Sequence, residues 1–295
     1  MLNRNTVRSI FPDGPRQLLV AAFQKVLGSR WKTIAFRHID QTSLSELSRR
    51  RDFELELKLV PLFISKPGAV FDIGANVGEY TYVLEKTVGS QYTYSIEPVP
   101  QLSSKLRKLF PKCTVLDVAL SGEEGTQRLK IPIINGDPLW SRSTLEQFSE
   151  VGETSALFEQ VRAQTLDTLC DEINVKDVQF IKIDVEGHEL KVLQGATRVL
   201  ATSRPVLMVE VEQRHHAEPI TALFSWMQTL GYSGLFYDAK RMSLRPVEEF
   251  SADSDQRLDL LGTASYINNF FFVKKDAVEN VTSIVHKAIG QNAAH

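Results

Sequence analysis

Cysteine is nearly absent from this sequence: its 295 residues hold two, Cys113 and Cys170, far apart and outside any CxxC pattern. Two such thiols build neither a disulfide framework nor a zinc cage, and they suit a reducing compartment as buried structural residues. A charge of one sign is missing as well, because 34 Lys and Arg face 36 Asp and Glu for a formal net charge of −2. Without a global basic excess, nucleic acid is not the expected partner. Long apolar runs are lacking too. The most apolar early stretch, residues 18–27, is interrupted by Gln24 and Lys25 and is too short to span a bilayer, so a helix packed on its own domain is expected there. The opening Met1-Leu2-Asn3-Arg4-Asn5, leading into Ser9-Ile10-Phe11-Pro12, does not read as a secretion signal, and a cytoplasmic location is the expectation. No internal repeat or low-complexity linker occurs. What is present, 43% hydrophobic and 24% charged residues, is an ordinary globular composition for one large or two small domains.

Residues 1–67 read as a helical N-terminal extension without strand alternation. Residues 52–64 start acidic and turn apolar before stopping at Lys66-Pro67-Gly68, which suits a helix whose acidic first turn faces its positive end. From Ala69 the texture changes to short apolar runs, most of them closing on Asp or Glu. They are Ala69-Val70-Phe71-Asp72-Ile73, Tyr92-Thr93-Tyr94-Ser95-Ile96-Glu97, Thr114-Val115-Leu116-Asp117-Val118-Ala119, Val178-Gln179-Phe180-Ile181-Lys182-Ile183-Asp184 and Pro205-Val206-Leu207-Met208-Val209-Glu210-Val211-Glu212. Strands alternating with helical stretches predict an α/β domain over 68–275 with a mostly parallel sheet. Two later runs, Gly234-Leu235-Phe236-Tyr237 and Asn269-Phe270-Phe271-Phe272-Val273, have no evident long helix between them and suit an antiparallel pair at a sheet edge. Residues 132–152 are rich in polar and turn residues and read as a loop or lid. Residues 276–295 read as a short helix and a frayed Ala293-Ala294-His295 end.

The first run ends in Asp72-Ile73-Gly74-Ala75-Asn76-Val77-Gly78, ahead of a helix expected over 79–86. Gly74 and Gly78 permit special backbone angles and close approach to a ligand, or serve only a tight strand-to-helix junction. The Asp72 carboxylate stands at a strand's carboxyl end, where open α/β sheets bind ligands. The spacing GxNxG, with Asn76 where a dinucleotide fingerprint has its second glycine, argues against NAD, and no Walker lysine is present for a nucleoside triphosphate. Glu97-Pro98 closes the next strand. A carboxylate there either accepts ribose hydroxyls or is a solvated strand-end charge; the first turn favours the former.

Together, Phe71-Asp72-Ile73-Gly74-Ala75-Asn76-Val77-Gly78-Glu79-Tyr80-Thr81, Ile96-Glu97-Pro98 and Phe180-Ile181-Lys182-Ile183-Asp184-Val185-Glu186-Gly187-His188-Glu189 resemble the FkbM-type methyltransferases that depend on S-adenosylmethionine (SAM). Thr165-Leu166-Asp167 and Leu193-Gln194-Gly195-Ala196 agree, and the resemblance covers residues 69–212 with weaker support to Val273. It implies a class I methyltransferase (Rossmann-like) fold, a seven-stranded, mostly parallel sheet with one antiparallel strand. It implies SAM as cofactor, with Asp72, Gly74, Asn76 and Gly78 cradling its methionine part, Glu97 holding the ribose, and Val118 and Ala119 flanking adenine. Ala75, Tyr80, Thr81, Pro98 and Asp184 complete the expected cofactor set. It also implies O-methylation of a small-molecule, glycan, glycolipid or natural-product hydroxyl. N- or C-methylation and a non-catalytic binding module are the competing readings.

Methyl transfer to a hydroxyl is an in-line displacement that requires alignment and removal of one proton. His188 or Asp184 is the expected base, with Glu186 beside them; His188 alternatively packs or caps a helix start. Ser143 and Thr144 either line the acceptor pocket or cap a helix through Gln147 and Phe148. Trp140 is placed to stack on a sugar ring. No metal is assigned. The rival reading joins Asp184 and Glu186 to Glu210, Glu212, His215 or His216 around Mg²⁺ or Ca²⁺, whereas the plainer one leaves His215 and His216 in a solvated loop.

Overall fold

A computed structural model describes Phe36, Ile39 and residues 55–292. Most of the expected N-terminal helical extension, and the end at 293–295, lie outside those residues. The described part of the 52–64 helix is a short α-turn, α1 (Glu56–Leu59), continued as a 3-10 turn through Phe63, with Pro61 at its start. Phe36 stacks on Tyr82 and Phe110 at centroid distances of 4.8 and 5.8 Å and so packs on the domain.

The central sheet is built from β1 (Ala69–Ile73), β2 (Thr93–Ile96), β3 (Thr114–Leu116), then β8 (Val178–Ile183), β9 (Val206–Glu210), β10 (Tyr232–Asp238), β11 (Ser243–Pro246) and β12 (Asn269–Lys274). Their order is β11-β10-β12-β9-β8-β1-β2-β3, parallel from β9 to β3, with β12 antiparallel to both β9 and β10. The expected late pair therefore exists, but β12 lies inside the sheet. An eighth strand, β11, hairpins back on β10 and takes the edge, so the sheet has one strand more than the seven expected.

Alternation along the strands sorts side chains into two apolar layers. Phe71, Ile73, Ile181, Ile183, Leu207, Val209, Phe270 and Phe272 join one layer, under α4 (Leu166–Glu172), α5 (Glu189–Gln194), α6 (Thr197–Thr202) and α7 (Thr221–Thr229). Val70, Phe180, Met208 and Phe271 join the other, with α2 (Glu79–Val88), α3 (Pro100–Leu109) and α8 (Val278–Asn292). The chain leaves β1 in one direction towards β2 and β3, and the β8–β9 half extends in the other. The crevice at the carboxyl ends beside β1 is thus a topological switch point.

The segment from 119 to 164 departs most from expectation. Leu116 ends β3, and Ala119–Leu120 forms β4 of a separate sheet ordered β4-β7-β5-β6. Its body is a long antiparallel hairpin of β5 (Gly125–Ile134) and β7 (Glu153–Gln164), with β6 (Asp137–Pro138) on the outer side of β5. Pro132 to Ile134 is strand where a loop was expected, and no helix runs through Gln147 and Phe148. That stretch is instead folded back along β5 by paired bonds, Lys130 N–H to Thr144 O at 2.8 Å and Thr144 N–H to Lys130 O at 2.9 Å. Among the described residues, no helix is long and apolar enough to cross a membrane. Of the two thiols, Cys113 is half-buried, while burial pushes the Cys170 thiol up to about 12.

Candidate active site

The first turn is fixed by its neighbours. Gly74 and Ala75 both donate to Ile96 O, at 3.0 and 3.1 Å, and Asp184 N–H donates to Ile73 O at 3.0 Å. Gly74 has φ +75°, and a Cβ there would lie 1.8 Å from the carbonyl oxygen of Asp184. At Gly78, φ +90°, a Cβ would meet Phe110 and Leu106. Both glycines are therefore required by chain-to-chain packing, and only Gly74 also faces the cleft described below.

Asp72 lies beneath that cleft. It is fully buried, accepts from Thr81 Oγ1 at 2.7 Å and lies 3.9 Å from Lys182 Nζ. Lys182 projects from β8 on the same face, donates to Asp184 Oδ2 at 3.0 Å and Gly74 O at 3.3 Å, and stands 5.1 Å from the Tyr80 ring centre. Burial drives the Asp72 carboxyl above its usual range against the pull of Lys182 and Thr81. Burial disfavours the Lys182 cation, but Asp184 and Asp72 outweigh it and hold its pKa above the ordinary value. Asp72, Ala75, Tyr80 and Thr81 thus form a buried support under the turn and do not line the cleft.

The cleft lies at the carboxyl ends of β1, β2 and β8 and holds about 590 Å³ of space between atoms, open solvent included. Gly74, Asn76, Glu97 and Pro98 form one wall; Val118, Ala119, Leu120 and Leu129 form an apolar one. Asp184, Glu186, His188, Trp140, Ser143 and Thr144 close the other side. Asn76 adopts φ +47° and donates its N–H to Glu97 Oε2 at 2.8 Å, while Val99 N–H donates to Oε1 at 2.9 Å. Burial pushes the Glu97 carboxyl up to about 7, against the two N–H bonds that favour its charged form.

The Asp184 side chain is 27% exposed at the cleft. His188 is 7% exposed with both ring nitrogens engaged: Nε2 stands 2.9 Å from Ser121 Oγ and Nδ1 2.7 Å from Glu146 Oε1. Gln127 donates to the same Ser121 oxygen at 3.3 Å, and the Glu146 carboxylate, an acceptor only, takes the Nδ1–H. The His188 bond in turn holds the Glu146 carboxyl below its usual range. Glu186, with φ +53°, receives Arg142 Nη1 on Oε2 at 3.1 Å and Thr144 Oγ1 on its carbonyl at 2.6 Å. Burial first, then Asp184 and Glu212, push the Glu186 carboxyl well above its usual range against Arg142. Ser143 turns its hydroxyl to Trp140 O at 2.8 Å.

His215 is no solvated loop residue: it is 8% exposed and stacks on Phe148 with centroids 4.6 Å apart. The strand-end carboxylates divide. Glu210 accepts from Asn268 at 2.6 Å, whereas Glu212 takes Arg214, Arg142 and Tyr266, whose bonds overcome burial and hold its carboxyl at about 2. Sequence reading missed Lys182, Arg142, Glu146 and Glu150. Lys182 carried a signal, since a lysine between Ile181 and Ile183 in a buried strand requires buried partners. The other three sit in the polar stretch whose folded-back path only tertiary structure reveals.

A doubly covered sheet of this order, with an antiparallel strand near one end and its cleft at the switch point, is the class I methyltransferase fold. The chain belongs to the FkbM methyltransferase family: the model for the methyltransferase FkbM domain matches residues 72–233, and the protein is a methyltransferase. The hexuronic acid methyltransferase AglP of Haloferax volcanii is 24% identical over 190 residues, covering 62% of this chain and 73% of AglP. Among solved structures, methyltransferase FkbM from Methylobacillus flagellatus aligns with a TM-score of 0.43 and 17% identity over 70% of this chain. The chain spans less than half of that protein, 43%. A TehB-like SAM-dependent methyltransferase from Corynebacterium glutamicum aligns with a TM-score of 0.41 and 13% identity, covering 86% of this chain and all of that one.

Proposed function

We propose that the cleft binds SAM and that residues 68–275 form a domain that transfers its methyl group to a hydroxyl of a glycan acceptor, a hexuronic acid being the first class to test. The observation that carries this is convergence: Glu97, the Val118–Leu120 wall and Asp184 come from three separate strand ends yet line one cleft. The residues fit the cofactor. Glu97 keeps a buried carboxylate pre-aimed by two backbone N–H groups, suited to ribose hydroxyls, and the apolar wall suits a purine. The AglP likeness supports the acceptor class.

SAM bound there supplies a sulfonium methyl open to in-line attack. The protein's part is to align the acceptor, exclude water and take the hydroxyl proton. We assign the proton to Asp184, which lines the cleft and is held by Lys182 through Oδ2. His188, committed at both nitrogens, positions Glu146 and the cleft wall. Ser143 and Thr144 belong to the acceptor side, where Trp140 offers a stacking face for a sugar ring.

Isothermal titration with SAM and S-adenosylhomocysteine tests the cofactor half, and saturable binding of at least one is expected. Absence of heat with either ends this reading. For the acceptor half, mass spectrometry after incubation with labelled SAM and uronic-acid oligosaccharides should show one added methyl ether per acceptor.

A further inference from the structure

Beside the cleft, three chain segments bring together groups that the methyl-transfer reading does not use. Glu150 comes from the folded-back stretch before β7, Glu186 from the turn after β8, and His215 from the 3-10 turn Gln213–His215 after β9. One ligand atom from each lies within 4.8 Å of the other two. We propose that Glu150, Glu186 and His215 form a site for a divalent transition-metal ion on the acceptor side of the cleft.

An independent observation points to a ligand. The His215 side chain is 3% exposed, and its Nε2 is buried without a hydrogen-bond partner. Glu150 Oε2 stands 3.4 Å from that nitrogen and Glu186 Oε2 3.4 Å from Nδ1, ion-pair contacts that leave Nε2 without a hydrogen bond. An imidazole nitrogen buried in this way lacks either a proton acceptor or a cation. The ring's stack on Phe148 fixes its plane, as a ligand histidine requires.

Two guanidiniums border the cluster: Arg142 pairs with Glu186 and Glu212, and Arg214 with Glu150 and Glu212. Arg142 Nη1 is shared evenly, 3.1 Å from both Glu186 Oε2 and Glu212 Oε1, while Arg214 gives Nε at 2.7 Å and Nη2 at 3.0 Å to Glu212 and Nη1 to Glu150 Oε1, which leaves Glu150 Oε2 on the His215 side. Ligands ~2.1 Å from a metal stand roughly 3.0–4.2 Å from one another, so the cluster closes with a movement below about 1 Å. Two carboxylates with an imidazole suit Mn²⁺, Fe²⁺ or Zn²⁺ better than the Mg²⁺ or Ca²⁺ of an all-oxygen set. Ion binding stands apart from the methyl-transfer reading; any polarisation of an acceptor hydroxyl through Glu186, which lines the cleft, rests on it.

The test titrates the chelator-stripped full chain with MnCl₂ and follows free Mn²⁺ by electron paramagnetic resonance. One saturable Mn²⁺ per chain is expected. Affinity should fall at least about 100-fold in Glu150→Gln and in His215→Ala, beyond the roughly 10–100-fold that outer-shell changes bring. It should be unchanged in Glu249→Gln, an exposed residue paired with Arg245 at the far edge of the sheet. Circular dichroism verifies each fold, and the near-isosteric Glu150→Gln decides if His215→Ala misfolds. No saturable binding, or equal binding in all variants, overturns the site. SAM titration of the same samples separates the two readings: SAM bound without Mn²⁺ binding sinks the metal site alone, and Mn²⁺ bound without SAM binding sinks the cofactor reading alone.

Discussion

The two walls of the cleft are built by different rules. On the cofactor side, strand ends within one sheet hold one another: Asn76 and Val99 N–H aim Glu97, Thr81 holds Asp72, and Lys182 and Asp184 at the end of the adjacent β8 brace the turn after β1. On the acceptor side, groups far apart in sequence are pinned by a hairpin outside the main sheet, with Thr144 tied to Glu186, Arg142 to Glu212, and Glu146 to His188. The first arrangement is rigid because parallel strands and a tight turn determine it. The second depends on how one inserted sheet folds back, so it is where acceptor choice can vary while the cofactor side stays unchanged.

The sharpest way to break this contrast is Gly74→Ala. Its Cβ would fall 1.8 Å from the Asp184 carbonyl oxygen at φ +75°, and neither strand can move without parting from its neighbours. Overpacking and left-handed strain together predict a loss of roughly 2–6 kcal/mol. Urea denaturation should show a chain that is barely folded or unfolded, and a midpoint near wild type would show the turn to be pliable. Asp184→Asn keeps the bonding shape but removes a proton acceptor. Turnover should fall about 10²–10⁴-fold while SAM affinity changes by no more than a few-fold. Equal turnover would move the base to another residue of the cleft.

The contrast also explains what the sequence disclosed. The strands β1, β2, β8 and β9 were readable because a strand buried on both faces must be apolar along its length and must end in a turn, and Asp72, Glu97 and Asp184 mark those ends. The β5–β7 hairpin was not. Leu129, Ile131 and Ile133 alternate in β5, but Pro132 and the turn residues after it read as a loop, and β7, much of it exposed, carries Glu153, Glu159, Gln160 and Arg162 without a continuous apolar face. Lys130 is buried with its ammonium held by Glu153 at 2.8 Å and by Phe148 O, partners invisible along the chain. Likewise, His188 read as a base from its residue type, while its two partners come from β4's end and the folded-back stretch. The edge strand β11 has four residues, of which Leu244 alone is buried, too little to register.

A third test addresses how firmly the cofactor side is set. Glu97 has a folded-state pKa of about 7 against an ordinary 4.5, because burial penalises its charge. The native state therefore binds this proton more tightly than the unfolded chain. The stability it lends is present below about pH 4.5 and is lost as pH rises through about 7, a loss on the order of 3 kcal/mol. Urea midpoints at pH 5 and pH 8 should show this slope in the ligand-free protein and a flatter one in Glu97→Gln. SAM, by donating ribose hydroxyls to the carboxylate, should favour the ionised form, so its affinity should rise between pH 6 and 8 in wild type only. A pH-independent affinity would detach Glu97 from the ribose.

The smallest expected effect is the one that gives the largest its meaning. Gly136, in the tight turn between β5 and β6, shares the left-handed backbone of Gly74, with φ +84°, but nothing lies within 4 Å of the Cβ that alanine would add. Gly136→Ala therefore carries the conformational cost alone, about 1 kcal/mol, or roughly 2–4 °C in Tm. SAM affinity should be unchanged. The difference between the two alanine variants isolates the collision with Asp184, since both incur the same kind of backbone strain and only one meets a backbone atom. If Gly136→Ala destabilises as much as Gly74→Ala, strain rather than close strand packing dominates at both turns. The rigidity assigned to the cofactor side would then have no basis in packing, and the inserted hairpin would be as fixed as the turn it faces.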